Sequence, residues 1–286
     1  MGNLTDIVRQ VSIIGIISLG MTFVILTAGI DLSVGSLLAL STSIVATILT
    51  RWHAGLSFPV EIALAIAATL AIGALVGTAT GAVIAAFDVQ PFVVTLAGMI
   101  GIRGLAKWFS NNANTDIGFG SDVASTFAEI FRGKTVTVVS YAILAVVSSL
   151  LLSRTVFGRY VRAIGDNERA ARYAGLPIRT VKVVVYALSG LLSAFAGVLY
   201  AAENHQGNPN AGVAYELDAI AAVVIGGTRL AGGRGSIAGT IIGTLMIGIL
   251  TNMLRLNNVD SNVEMMVKAG IIILAVAVQK QGRTAA

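Results

Sequence analysis

VSIIGIISLGMTFVILTAGIDLSVGSLLALSTSIVATILT, residues 11–50, carries a single charged side chain, Asp31, set between two runs of apolar and small residues. A bilayer core about 30 Å thick is crossed by about 20 mostly apolar residues in a helix. The runs Val11–Ile30 and Leu32–Thr50 each meet that length, so the stretch reads as two membrane helices broken at the aspartate. The first is longer than the apolar core of a secretory signal, and neither has the polar face of a helix lying on a membrane surface.

Working outward, uncharged runs recur at Ile62–Phe87, Thr135–Ser153, Val183–Ala202 and Gly235–Leu254. Three weaker candidates are Pro91–Ser110 with Arg103 and Lys107, the short Ala219–Thr228, and Val263–Gln279 with Lys268. The expected architecture is all-α, a polytopic helical bundle of about nine membrane segments forming one domain over residues 1–286. Composition agrees: 56% of residues are hydrophobic and 12% charged, against roughly a quarter charged in soluble domains. The 32 glycines suit helices that pack through small residues.

Several functions fall away at this level. With no cysteine there is no thiolate metal site, disulfide or cysteine nucleophile, and two histidines are too few for a histidine-rich metal centre. The net charge of +5 does not imply nucleic acid, because seven of the 19 basic residues crowd into Arg154–Lys182. That is how membrane proteins mark cytoplasmic loops. With that loop inside, Arg229, Arg234, Lys280 and Arg283 fall on the same side, while the acids gather on the other. The C-terminus is then cytoplasmic and, after nine crossings, the N-terminus external. The acids lie almost entirely in loops, and intramembrane hydrolysis lacks a visible catalytic constellation; no catalytic residue is assigned.

Three motifs carry the functional reading. The loop RTVFGRYVRAIGDNERAARYAGLPIRTVK (154–182) contains a short helix-forming stretch, Asp166–Gly175, with a glycine stop and then Pro177. It reads either as a surface helix that receives a push from a soluble partner or as an ordinary basic loop. In GMTFVILTAGIDLSVGSLLAL (20–40), Asp31 or Ser33 with Gly35 marks a helix break, a cap being preferred over an ion site because no second carboxylate is placed to share an ion. In AYELDAIAAVVIGGTRLAGGRGSIAGTIIG (214–243), Gly226, Gly227, Gly232 and Gly233 form a bend without any phosphate-loop pattern. Gly235, Gly239 and Gly243 recur as in a close helix contact. Asp31-Leu32-Ser33 and Glu216-Leu217-Asp218 each open a helix, in opposite orientations. This is either an inverted repeat or chance similarity.

NERAARYAG is similar to the coupling motif of ABC importer permeases, with Glu168, Ala170, Ala171 and Gly175 matching and Arg169 interrupting Glu-Ala-Ala. Together with VQPFVVTLAGMIGIRGLA (89–106) and KVVVYALSGLLSAFAGVL (182–199), the motifs closely resemble the ribose, xylose and arabinose permeases of the branched-chain amino acid/ribose permease family. The resemblance implies a multi-pass permease of the bacterial inner membrane, working by alternating access. Its partners would be an ATPase subunit that uses ATP and Mg, a periplasmic sugar-binding protein, a second permease copy (identical or a close paralogue) and the lipid bilayer. The chain itself would bind no cofactor, metal or nucleic acid. Family members begin with one more helix, which implies a leading helix absent from this chain.

Thr22, Thr27, Ser36, Arg103 and Asn252 are candidates for the translocation path. The hydroxyls could equally bond helix backbone, and Arg103 could be a structural anchor. Lys107 and Lys268 read as snorkelling to the outer interface. The runners-up are a branched-chain amino acid permease and, further off, an ion-coupled secondary transporter.

Overall fold

The computed structural model describes residues 2–51, 55–118 and 122–281. Their order is α1 (Gly2–Leu26), α2 (Val34–Arg51), α3 (Phe58–Phe87), α4 (Pro91–Phe109), β1 (Thr115–Asp116), α5 (Val123–Phe131), α6 (Lys134–Arg154), α7 (Val156–Asp166), α8 (Glu168–Tyr173), α9 (Ile178–Asn204), β2 (Gln206–Gly207), α10 (Tyr215–Ile225), α11 (Ile237–Leu256) and α12 (Ser261–Gln281). Arg283, used for the charge-based orientation, lies outside the described residues.

The helices follow the charge-free runs because a backbone in hydrocarbon must satisfy its own hydrogen bonds. Their ends follow local chemistry. Asp88 takes a left-handed conformation after α3, and Pro91 opens α4, where its missing N–H costs nothing. Asp122, Thr155, Asn167 and Ser236 cap α5, α7, α8 and α11, each side chain accepting a first-turn N–H.

Several boundaries differ from the sequence reading: α10 spans Tyr215–Ile225 rather than Ala219–Thr228, and α9 begins at Ile178, before the uncharged run. α1 stops at Leu26 rather than running to Ile30, because Ala28 turns left-handed and the amide of Gly29 doubles back to Val24 O at 3.1 Å. The helix-forming stretch Asp166–Gly175 contains α8, separated at Asn167 from a further helix, α7, that precedes it. In addition, α5 and the antiparallel pair β1–β2 lie outside the runs read as membrane segments.

Among the described residues, six helices, α2, α3, α4, α6, α9 and α11, are long and apolar enough to cross a membrane, and the apolar part of α1 (Val11–Leu26) is shorter. Of the residues of α2, 78% are buried within the chain, against only 11% in an 18-residue stretch of α4. Apolar side chains such as Leu75, Ile100, Trp108 and Val146 point outward. Such a surface would be untenable in water over this area and is at home in lipid. The inside is tight: Gly73, Gly77 and Gly81 of α3 leave no room for a Cβ against Gly190, Ala194 and Tyr186 of α9. Gly239 and Gly243 likewise bring α11 against Gly226 and Ala222 of α10.

The neighbours repeat. α9 lies against α1, α2 and α3, while α1 lies against α9, α10 and α11. α2 packs on α3 and α4 as α10 packs on α11 and α12; even α5 (against α9 and α3) mirrors α6 (against α1 and α11). Exchanging α1–α4 with α9–α12 therefore preserves the arrangement. The two broken helices start side by side, with Gly35 against Gly212 and Glu216, and then diverge. α2 runs past β2, where Gly207 meets Thr42 and Ala46. α10 runs to the glycine bend at 226–236, which meets Gly165 at the end of the bundle carrying α7 and α8. This is an inverted repeat with two helix N-termini facing the middle.

Candidate coupling surface and intramembrane charge cluster

At the basic end, Asn167 Oδ1 accepts the Ala170 N–H at 3.0 Å and starts α8. Its finish is a Schellman motif: the Gly175 amide bonds Arg172 O and the Leu176 amide bonds Ala171 O, each at 3.1 Å. Gly175 supplies the positive φ of 76° this requires, and open space surrounds it. Ala171 is buried and Ala170 exposed. Glu168 faces inward, pairing with Lys182 of α9 at 2.9 Å and with Arg172 at 3.2 Å. Arg159, Arg162, Arg169, Arg172 and Arg179 are exposed, and Tyr173, 92% exposed, stands out from them.

Besides the Glu168–Lys182 pair, Gly165 fastens this surface to the bundle. Gly165, near the end of α7, touches Leu26 O and Gly233 N, and the Gly233 N–H donates to Leu26 O at 3.0 Å. Gly232 and Gly233, both at positive φ, lie on Gly165, Ala28 and Asp166. The α7–α8 segment, the break after α1 and the α10–α11 bend thus share one junction. Gly226 serves the α10–α11 contact, and Gly227 has open space.

At the break, Asp31 Oδ1 accepts the Ser33 amide (3.0 Å) and hydroxyl (2.6 Å), and Oδ2 accepts the Ser189 hydroxyl (2.8 Å). Asp31 thus holds the turn and ties it to α9, while Ser33 O accepts the first amide bond of α2, from Leu37. The path candidates sit in helix contacts. Thr22 bonds Ser18 O and Thr240, Thr27 bonds Val24 O, and Ser36 bonds Met99 O of α4. Arg103 donates from Nη1 to Pro209 O and Ala211 O, which moors α4 to the segment before α10. Asn252 is half-buried on α11.

Lys268 does not snorkel to the interface. Its Nζ lies 3.0 Å from Asp218 Oδ2 of α10 and 2.9 Å from Glu264 Oε1 of α12. Arg255 of α11 completes the group at 3.3 Å from Glu264 Oε2. The acids are therefore not confined to loops: two carboxylates from separate helices share one ammonium. The sequence reading passed over the group because Asp218 and Lys268 are 50 positions apart, and each alone looks like a helix-end charge. The i,i+4 spacing of Glu264 and Lys268 was the one local sign.

The chain matches the family described as branched-chain amino acid transport system / permease component over residues 3–276. It belongs to that permease family. Within the family it is 42% identical to the ribose import permease protein RbsC of Escherichia coli K12 over 98% of this chain and 86% of that one. The RbsC of Bacillus subtilis 168 is 43% identical, with 98% and 85% covered. The xylose transport system permease protein XylH of Haemophilus influenzae is 35% identical, with 96% and 88% covered. No solved structure matches the chain.

Proposed function

We propose that this permease is the membrane-spanning subunit of an ATP-binding-cassette importer that carries a monosaccharide, ribose or a related sugar, across the bacterial inner membrane. The observation that carries the reading is the capped helix α8 with its exposed arginines and Tyr173, in a chain so close to ribose permeases. An ATPase subunit docks there and supplies ATP and Mg chemistry. A periplasmic sugar-binding protein delivers substrate at the opposite end, where β1 and β2 lie, and a second permease copy encloses the path with this one. Hydrolysis shifts the population between outward- and inward-facing states through the Gly165 junction.

An ion-coupled transporter is the second reading, now that paired carboxylates are in view. The α10–α12 cluster, however, joins two acids to two bases and is formally neutral without a bound ion. Reconstitution in liposomes decides between them. The chain alone is expected to be inert, and to take up sugar only with ATPase, binding protein and ATP. Uptake by the chain alone, driven by a proton or sodium gradient and abolished by an ionophore, overturns the importer reading.

A further inference from the structure

Beside the cluster is a cavity of about 290 Å³, lined by Tyr215, Asp218, Arg255, Glu264, Met265 and Lys268 among others. Its position is chemically demanding. Asp218 lies in the first turn of α10, while Glu264 and Lys268 lie in the first and second turns of α12. Around them Leu217, Met253 and Met266 project from the fold. Charged groups at membrane depth are not left against lipid; they face protein or a water-filled space. A cavity fringed by such charges suits water or a polar ligand rather than a lipid chain.

Building on the importer reading, we infer that this cavity is a binding subsite for the neutral monosaccharide in transit. Carboxylates accept from sugar hydroxyls and the ammonium and guanidinium donate to them, so each hydroxyl finds a partner of either kind. Tyr215 and Met265 offer apolar surface to the C–H face of a ring. The volume stands at the small end of ligand sites, which run from about 300 Å³ upward. The ion pairs already neutralise one another. A neutral polyol can bridge them as they stand, whereas a zwitterionic amino acid would have to break them. The cavity also lies away from the Arg-rich coupling end, on the side where a binding protein would release its cargo. The path hydroxyls picked from sequence are occupied inside helix contacts, whereas the Arg255 side chain at this cavity is 53% exposed.

The test uses the complete importer, with ATPase and binding protein, and the cysteine-free chain carrying Ala269→Cys on the cavity wall. An impermeant, hydrophilic thiol reagent added from outside is expected to label it. Labelling should slow at least severalfold under whichever of ribose, xylose, arabinose or fructose the importer carries, and stay unchanged with leucine. Lys268→Met and Asp218→Asn should each cut uptake at least tenfold while the ATPase still co-purifies and hydrolyses ATP. Labelling only by a membrane-soluble reagent, or labelling indifferent to the transported sugar, overturns the subsite even where the charge variants fail to assemble. If the unaltered chain takes up no sugar with its partners, the importer reading itself has failed, a separate result.

Discussion

Replacing Gly165 by alanine perturbs the one point where α7 meets both the end of α1 and the glycine bend. A Cβ built there overlaps Leu26 O, sits 2.5 Å from Gly233 N and 2.9 Å from Leu26 C. These are backbone atoms, so no side chain can swing away. Overpacking of this kind costs about 1–3 kcal/mol. Parting Gly233 N–H from Leu26 O adds about 1 kcal/mol, and the better helix propensity of alanine returns about 1 kcal/mol. The net, about 1–3 kcal/mol, is too small to unfold the bundle but lowers the closed population of the junction roughly 5- to 150-fold, at 1.4 kcal/mol per factor of ten. Two assays read it: hydrogen exchange at the Gly233 amide should accelerate by that factor, and reconstituted importer should transport less sugar per ATP while hydrolysis continues. Unchanged exchange together with unchanged coupling would refute the reasoning. Gly175→Ala is the control, since it has open space and pays only for its positive φ, about 1–2 kcal/mol, with Gly233 exchange unaffected.

Glu168→Gln and Lys182→Gln should each reduce ATPase coupling, and the double variant should be no worse than Glu168→Gln alone, because Glu168 is the partner of Lys182 in an ion pair of about 1 kcal/mol; additive losses would place Glu168 against the ATPase instead. Arg103→Leu strands the carbonyls of Pro209 and Ala211 and should destabilise the detergent-solubilised chain by about 2–4 kcal/mol, with Arg103→Lys recovering part of it; equal thermal stability of all three chains would deny the mooring. Single cysteines within 111–118 or 122–134 should react with an impermeant reagent from outside, and those within 159–179 only from inside. Reaction of both sets from one side would reverse the orientation.

Helix positions were legible wherever burial is set by lipid, since an uncharged run of sufficient length leaves little choice. Pro91 and Gly175 marked boundaries by backbone chemistry that does not depend on the rest of the fold. The break at residues 27–33 was visible at Asp31, but its start was not, because the residue that turns left-handed beside Gly232 is Ala28, an alanine and not a turn-forming residue. The Lys268 cluster and the Arg103 mooring were hidden for another reason. Each joins segments about 50 to 108 residues apart, and a charge in sequence does not name its distant partner. Glu168 was assigned to the coupling motif by family pattern, while its inward turn toward Lys182 is a tertiary fact.

The shortness of α10 bears on how the chain enters the membrane. Its 11 residues span about 16 Å at about 1.5 Å per residue, and Glu216 and Asp218 stand in its first turn. An acid at mid-bilayer costs about 2.5–3.5 kcal/mol on the insertion scale, so this segment has neither the length nor the polarity to leave the translocon by itself. It has to be held back during synthesis until α11 and α12, which bring its glycine contacts and Lys268, have emerged. A nascent chain truncated after residue 236 should therefore leave 215–225 accessible to modification. Extension through α12 should withdraw it, making the last third of the polypeptide the insertion signal for its own middle.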